Sequence, residues 1–138
     1  MAITYSISLE ERLITAYATG IIRADDLHRL IKSLLADPSF TPGLRGLYDT
    51  RYAEPDITVM QIAEVAGEVK QLLNRGLGRL AIVAESQTSY RVAKTFSILA
   101  RAIGIDVDVF RELPAAEAWI KEGNGTSGSP PGDTPLRP

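Results

Sequence analysis

Two short runs carry most of the side chains in this sequence that could bind or react. The first is Asp49-Thr50-Arg51-Tyr52, at the end of the apolar stretch Leu44 to Thr50. The second, Glu85-Ser86-Gln87-Thr88-Ser89-Tyr90-Arg91, lies between the apolar stretch Leu80 to Ala84 and a helical pattern. A helix opening at the second run would present free backbone amides, a natural seat for an anionic group. Hydroxyls at Ser86, Thr88 and Ser89 add donors, and Arg51 or Arg91 supplies charge. The expected ligand-binding set is therefore Asp49, Arg51, Tyr52, Ser86, Thr88, Ser89, Tyr90 and Arg91. Against it stands the plainer use of such residues, in which one hydroxyl caps the helix and the rest face water.

Catalysis is harder to build from the same residues. Asp49 could serve as a general base, but acid–base chemistry needs a partner of tuned pKa within reach, and none stands out. Ser86 lacks the GxSxG surroundings of a nucleophile elbow. The single histidine, His28, adjoins the apolar stripe of an early helix, where a rim position suits it better than catalysis. With one histidine and no cysteine, a transition-metal site is disfavoured. A small hydrolase or transferase using Asp49 and Ser86 is the alternative to a binding role. Arg91, Lys94 and Arg101, with Ile98 among them, fall on one helix face and could meet an anionic membrane surface or an acidic partner. A solvated helix face explains three charges equally well.

The elements that must position these residues follow from periodicity. Ile3, Tyr5, Ile7 and Leu9 alternate with polar residues as in a half-buried strand. Leu13 to Thr19 reads as a second strand joined to it by a tight turn, with Gly20 at its end. Leu27, Leu30, Ile31, Leu34 and Leu35 keep helical spacing, and Asp37-Pro38 stops that helix. A short buried strand over Leu44 to Thr50 leads into a polar loop carrying Arg51 to Asp56. Thr58 and Gln61 have capping-box spacing at the start of the next helix, which Gly76 ends. Leu80 to Ala84 reads as a central parallel strand, followed by a helix closed by Gly104, a strand over Ile105 to Phe110, and a short helix opened by Pro114. The expected order is β-β-α-β-α-β-α-β-α: an α/β domain with a five-stranded mixed sheet, an antiparallel first strand and about four helices.

Composition bounds the function classes. The chain has 138 residues, room for one domain, with 15 Lys plus Arg against 17 Asp plus Glu and a net charge of −2. So even a balance argues against a nucleic-acid binder. No apolar run approaches the roughly 20 residues that span a bilayer, and the opening MAITYSISLEER lacks the pattern of a secretion signal. A cytoplasmic protein is expected. The domain is expected over residues 1–121, with residues 122–138, rich in Gly, Ser and Pro, as a disordered tail.

In their order, the strand hairpin, the helix ending LLADPSF, the strand ending LYDTR, the strand RLAIVA and the close DVDVFRELPAAEAWI resemble the SpoIIAA-like superfamily, relatives of the STAS domains of anti-sigma-factor antagonists. The resemblance runs from about Ile3 to Lys121. It implies a small STAS-like domain, comparable to the lipid-binding Sec14-type fold, that serves as a ligand-binding or interaction module. STAS antagonists are switched at a serine in an Asp-Ser-Ser-Gly-like turn. Here the matching region reads AEPDITVMQ, so Thr58 is the only hydroxyl left as a phosphosite, and capping alone accounts for it. The reading favoured by residues and resemblance together is a non-catalytic module recognising a small anionic or amphipathic ligand, such as a lipid, or a protein partner. A phospho-regulated antagonist is a further alternative. No cofactor is implied, and a sheet edge or helix face would serve for self-association.

Overall fold

A computed structural model describes residues 2–125. The chain forms β1 (Ile3–Ser8), β2 (Leu13–Arg23), α1 (Ala24–Ala36), β3 (Arg45–Asp56), α2 (Val59–Asn74), β4 (Leu80–Val83), α3 (Gln87–Ala102), β5 (Val107–Phe110) and α4 (Leu113–Gly125). The strands lie side by side in chain order, with β1 antiparallel to β2 and every other pairing parallel. The expected element order and the mixed five-stranded sheet are both present. The structure follows α4 as far as Gly125, within the segment expected as a tail; residues 126–138 lie outside the described residues.

The strand order dictates where the helices go. Three successive parallel connections step across the sheet in one direction, and right-handed crossovers of that kind place their helices on one face. Accordingly α1, α2 and α3 share a core with Ile14 and Ile82 on that face. α4 follows the last strand, makes no crossover, and covers the opposite face with Ala116 and Ile120 against Leu47, Ala81 and Val83.

Two strands run further than their sequence suggested. β2 continues past Gly20 to Arg23, and β3 runs past Thr50 to Asp56, through the residues expected as a loop. The extensions pair with each other beyond the end of β4, from Thr19 opposite Tyr52 to Arg23 opposite Asp56. Tyr17 faces Asp49 but Thr19 faces Tyr52, so Thr50 and Arg51 together stand against Ala18 in a bulge. The bulge reverses the alternation of β3: Tyr48 faces the three-helix core before it and Ala53 after it.

Helix starts agree with their expected caps. Thr58 Oγ1 accepts the Gln61 amide at 3.1 Å while Gln61 Oε1 accepts the Thr58 amide at 3.0 Å. Gly76, at φ +106°, permits the turn after α2, where a Cβ would come within 2.5 Å of Pro42 Cα.

Candidate ligand-binding site

The two polar runs meet at the carboxyl end of β4, beside the middle of β3. Thr50 Oγ1 donates to the Val83 carbonyl at 2.7 Å, and Ser89 Oγ donates to the Ala53 carbonyl at 3.2 Å. Ser86 is the N-cap of α3, its hydroxyl accepting the Ser89 amide at 3.0 Å. Thus the Ser86 side chain caps α3 and the Ser89 side chain joins α3 to β3, while Thr88 is exposed.

Asp49 and Arg51 form a closed pair. The Arg51 amide donates to Asp49 Oδ1 at 3.0 Å, and its guanidinium donates from Nε at 3.0 Å and from Nη2 to Oδ2 at 2.9 Å. Asp49 is buried, and its hydrogen bonds hold the Arg51 guanidinium above its ordinary pKa. Arg51 also lies 5.4 Å from the centre of the Tyr52 ring, which is 71% exposed. Asp49 shares a strand face with Leu47, on the α4 side, by the alternation of β3. Thr50 and Ser89 instead look into the three-helix side.

On the three-helix side the sheet does not close completely against its helices. A cavity of about 150 Å³ lies between the sheet and α1, α2 and α3, and its wall is almost entirely hydrocarbon. Small residues on the sheet leave this room: Ala16 on β2, and Gly46 and Ala53 on β3. Ile62, Val65 and Val69 of α2 and Val92, Ala93 and Phe96 of α3 form the opposite wall. Thr50, Ser89 and Tyr48 are the polar side chains along it. The cavity therefore reaches the edge where the two runs meet. Apolar cavities of this order stay dry and accept apolar guests.

Several expected residues lie elsewhere. Tyr90 is partly buried, with the Arg111 guanidinium 3.9 Å above its ring and Lys94 Nζ at 5.9 Å. Arg111 Nη1 also donates to the Glu85 carbonyl at 3.2 Å, a rim contact that no sequence pattern marked. Arg91 is exposed on the same helix. Arg101 holds the free edge of β5, donating from Nε to the Val107 carbonyl at 2.9 Å and pairing with Asp108 at 3.1 Å. Of the basic helix face, Arg91 and Lys94 are left beside Ile98, which is 66% exposed. His28 joins α1 to α2, with Nδ1 2.6 Å from Glu68 Oε1.

The arrangement of parallel strands carrying three helices on one face and one on the other is the SpoIIAA-like fold. A crystal structure of an uncharacterized DUF3478-family protein from Shewanella loihica PV-4, described as SpoIIAA-like, superposes with a TM-score of 0.57 at 16% identity, over 86% of this chain and 94% of the other. No protein-family model matches the sequence, and no curated protein matches it. Among the described residues, no helix is long and apolar enough to cross a membrane.

Proposed function

We propose that this protein is a non-catalytic binding module that takes the apolar part of a small amphipathic ligand into the cavity beneath α1, α2 and α3. The ligand's polar end lies towards the polar side chains of the cavity wall, Tyr48, Thr50 and Ser89, beneath the Asp49–Tyr52 run and the first turn of α3. The SpoIIAA-like fold accords with a binding or regulatory module in general. The cavity is the observation that carries the choice of ligand. A space of about 150 Å³ walled by hydrocarbon forgoes the close packing that a filled core would have. A sheet that needed only to fold would have larger side chains than Ala16 and Ala53 at that point.

The strand order favours an interior site over a cleft outside the strand ends. Ligand crevices in open α/β sheets arise where the strand order reverses and neighbouring helices part to opposite faces. Here the order never reverses. Arg51 is neutralised by Asp49, which favours an amphipathic over a purely anionic ligand. The alternatives gain less: Asp49 is tied to Arg51, Ser86 caps α3 and His28 is held by Glu68, so these three do not form a nucleophile with its base.

The test is calorimetric titration with 1-hexanol of the full chain and of Ala93→Phe, which fills the cavity. Saturable binding by the parent and none by a folded Ala93→Phe is expected. Equal binding by both would place the guest elsewhere and refute the proposal.

A further inference from the structure

The one polar side chain on the cavity wall with no partner among the described residues is Tyr48. Thr50 and Ser89 spend their hydroxyls on the Val83 and Ala53 carbonyls, whereas the Tyr48 hydroxyl makes no hydrogen bond among the described residues. Tyr48 sits in the middle of the sheet, between Ala16 on β2 and Ile82 on β4. Burial raises the pKa of its phenol, yet the residue as a whole is only half-buried, and it lines the cavity. A buried hydroxyl left unpaired is costly, more so in hydrocarbon surroundings.

A neighbouring charge bears on what the hydroxyl can receive. Asp26, in the first turn of α1, raises the pKa of Tyr48 after burial has already done so. Among the described residues no hydrogen bond joins Tyr48 to the Asp26 carboxylate, whose Oδ2 accepts the Arg23 amide at 2.8 Å and whose Oδ1 accepts Arg29 Nη2 at 2.9 Å. Asp26 acts on Tyr48 through its negative potential, which the paired Arg29 guanidinium partly offsets. An anionic ligand oxygen at Tyr48 would gain a hydrogen bond but meet that potential in a poorly screened site. A neutral oxygen gains the bond without the repulsion.

From these observations we infer that Tyr48 is a specificity-determining residue, donating its hydroxyl to a neutral oxygen, an alcohol or carbonyl, on an otherwise apolar ligand held in the cavity. The inference rests on the binding role proposed above and narrows its ligand to uncharged, singly oxygenated hydrocarbons, as against fatty acids. Selection of this kind is effective because a site built around one hydrogen bond penalises the analogue that lacks it.

Three probes of matched chain length separate the outcomes: 1-hexanol, n-hexane and hexanoate, the last kept well above its carboxyl pKa. Affinities are read by NMR titration of the full chain and of Tyr48→Phe, with thermal unfolding of each ligand-free protein alongside. The parent should prefer hexanol to hexanoate, and Tyr48→Phe should lose about 5-fold for hexanol while hexane is unchanged, as one neutral hydrogen bond implies. Ligand-free Tyr48→Phe should unfold at the same or a higher temperature, since an unpaired hydroxyl has been removed; a hydroxyl with a merely structural role would lower it. Hexanol binding that Tyr48→Phe leaves unchanged, or hexanoate binding as tightly as hexanol, overturns the inference while leaving the binding role intact. Binding of none of the three overturns both.

Discussion

The two faces of the sheet are built to different standards. On the α4 face, Ala81, Val83 and Ala116 have no accessible surface and Ile120 has 2%. Two arginines fasten the helix there. Arg45, itself buried, donates from Nη1 to the Ile120 carbonyl at 2.6 Å and from Nη2 to the Glu11 carbonyl at 2.8 Å. Arg79 donates to the Trp119 carbonyl at 2.8 Å and lies 4.2 Å from the centre of that residue's ring. Both bonds fall on carbonyls in the middle of α4, so the two guanidiniums hold the body of the helix against the sheet. The three-helix face has more helix and a larger apolar cluster, but it holds the cavity and a phenol with no partner among the described residues. One face is closed by specific charge-assisted bonds, and the other is left incomplete. The contrast locates stability on the first and ligand capacity on the second.

The largest effect should come from breaking the closed face. Arg45→Met leaves the Ile120 and Glu11 carbonyls without their donor and should cost roughly 3 kcal/mol of unfolding free energy, at 1.5 to 3 kcal/mol for each hydrogen bond to a charged group. Urea denaturation measures this, and ligand capacity per folded molecule should be unchanged. On the open face the sign reverses. Ala53→Val, adding two methyl groups at the cavity wall, should raise stability by about 1 kcal/mol, since a buried methylene contributes about 0.8 kcal/mol, and should weaken hexanol binding in the same titration. A destabilised Ala53→Val would show that the wall has no room and the contrast is false.

Smaller effects sharpen the picture at the open face's margins. His28→Ala removes the link from α1 to α2 and should cost under about 1 kcal/mol, because both side chains are partly exposed. Faster amide exchange in α1, with α4 unaffected, would confirm that the link belongs to the open face. At the outer edge, Tyr5 donates to Asp37 Oδ2 at 2.6 Å, and burial followed by this bond pushes its pKa from 10.0 up to about 12. The folded state therefore favours the protonated phenol. That stabilisation is complete below pH 10 and is lost as pH rises through about 12. Unfolding curves across this interval should fall more steeply for the parent than for Tyr5→Phe.

Much of the fold was legible because its signals are local. Alternation in Ile3 to Leu9, the 3.6-residue stripe of Leu27 to Leu35, and the Thr58–Gln61 box each specify their element without reference to the rest of the chain. The extensions of β2 and β3 were not legible, since Gly20 and Pro55 punctuate isolated strands. They pair only because the two segments run out together past the end of β4. The meeting of the Asp49–Tyr52 and Glu85–Arg91 runs at one edge followed from the parallel order. The cavity did not, because an internal void is a sum of volumes from many elements. Ala16, Gly46 and Ala53 are a trace of it only once their shared face is known. Arg45 gave no local sign either: its partner carbonyl at Ile120 lies 75 residues away.

The central claim, that the three-helix face holds an apolar space open to apolar guests, is tested most directly by xenon. Methyl-resolved NMR under increasing xenon pressure should show saturable shifts at Ile62, Val65 and Val69, absent in Ala93→Phe, with the methyls of Val83 and Ile120 on the α4 face unmoved. Shifts of equal size on both faces, or none at either, would contradict the account.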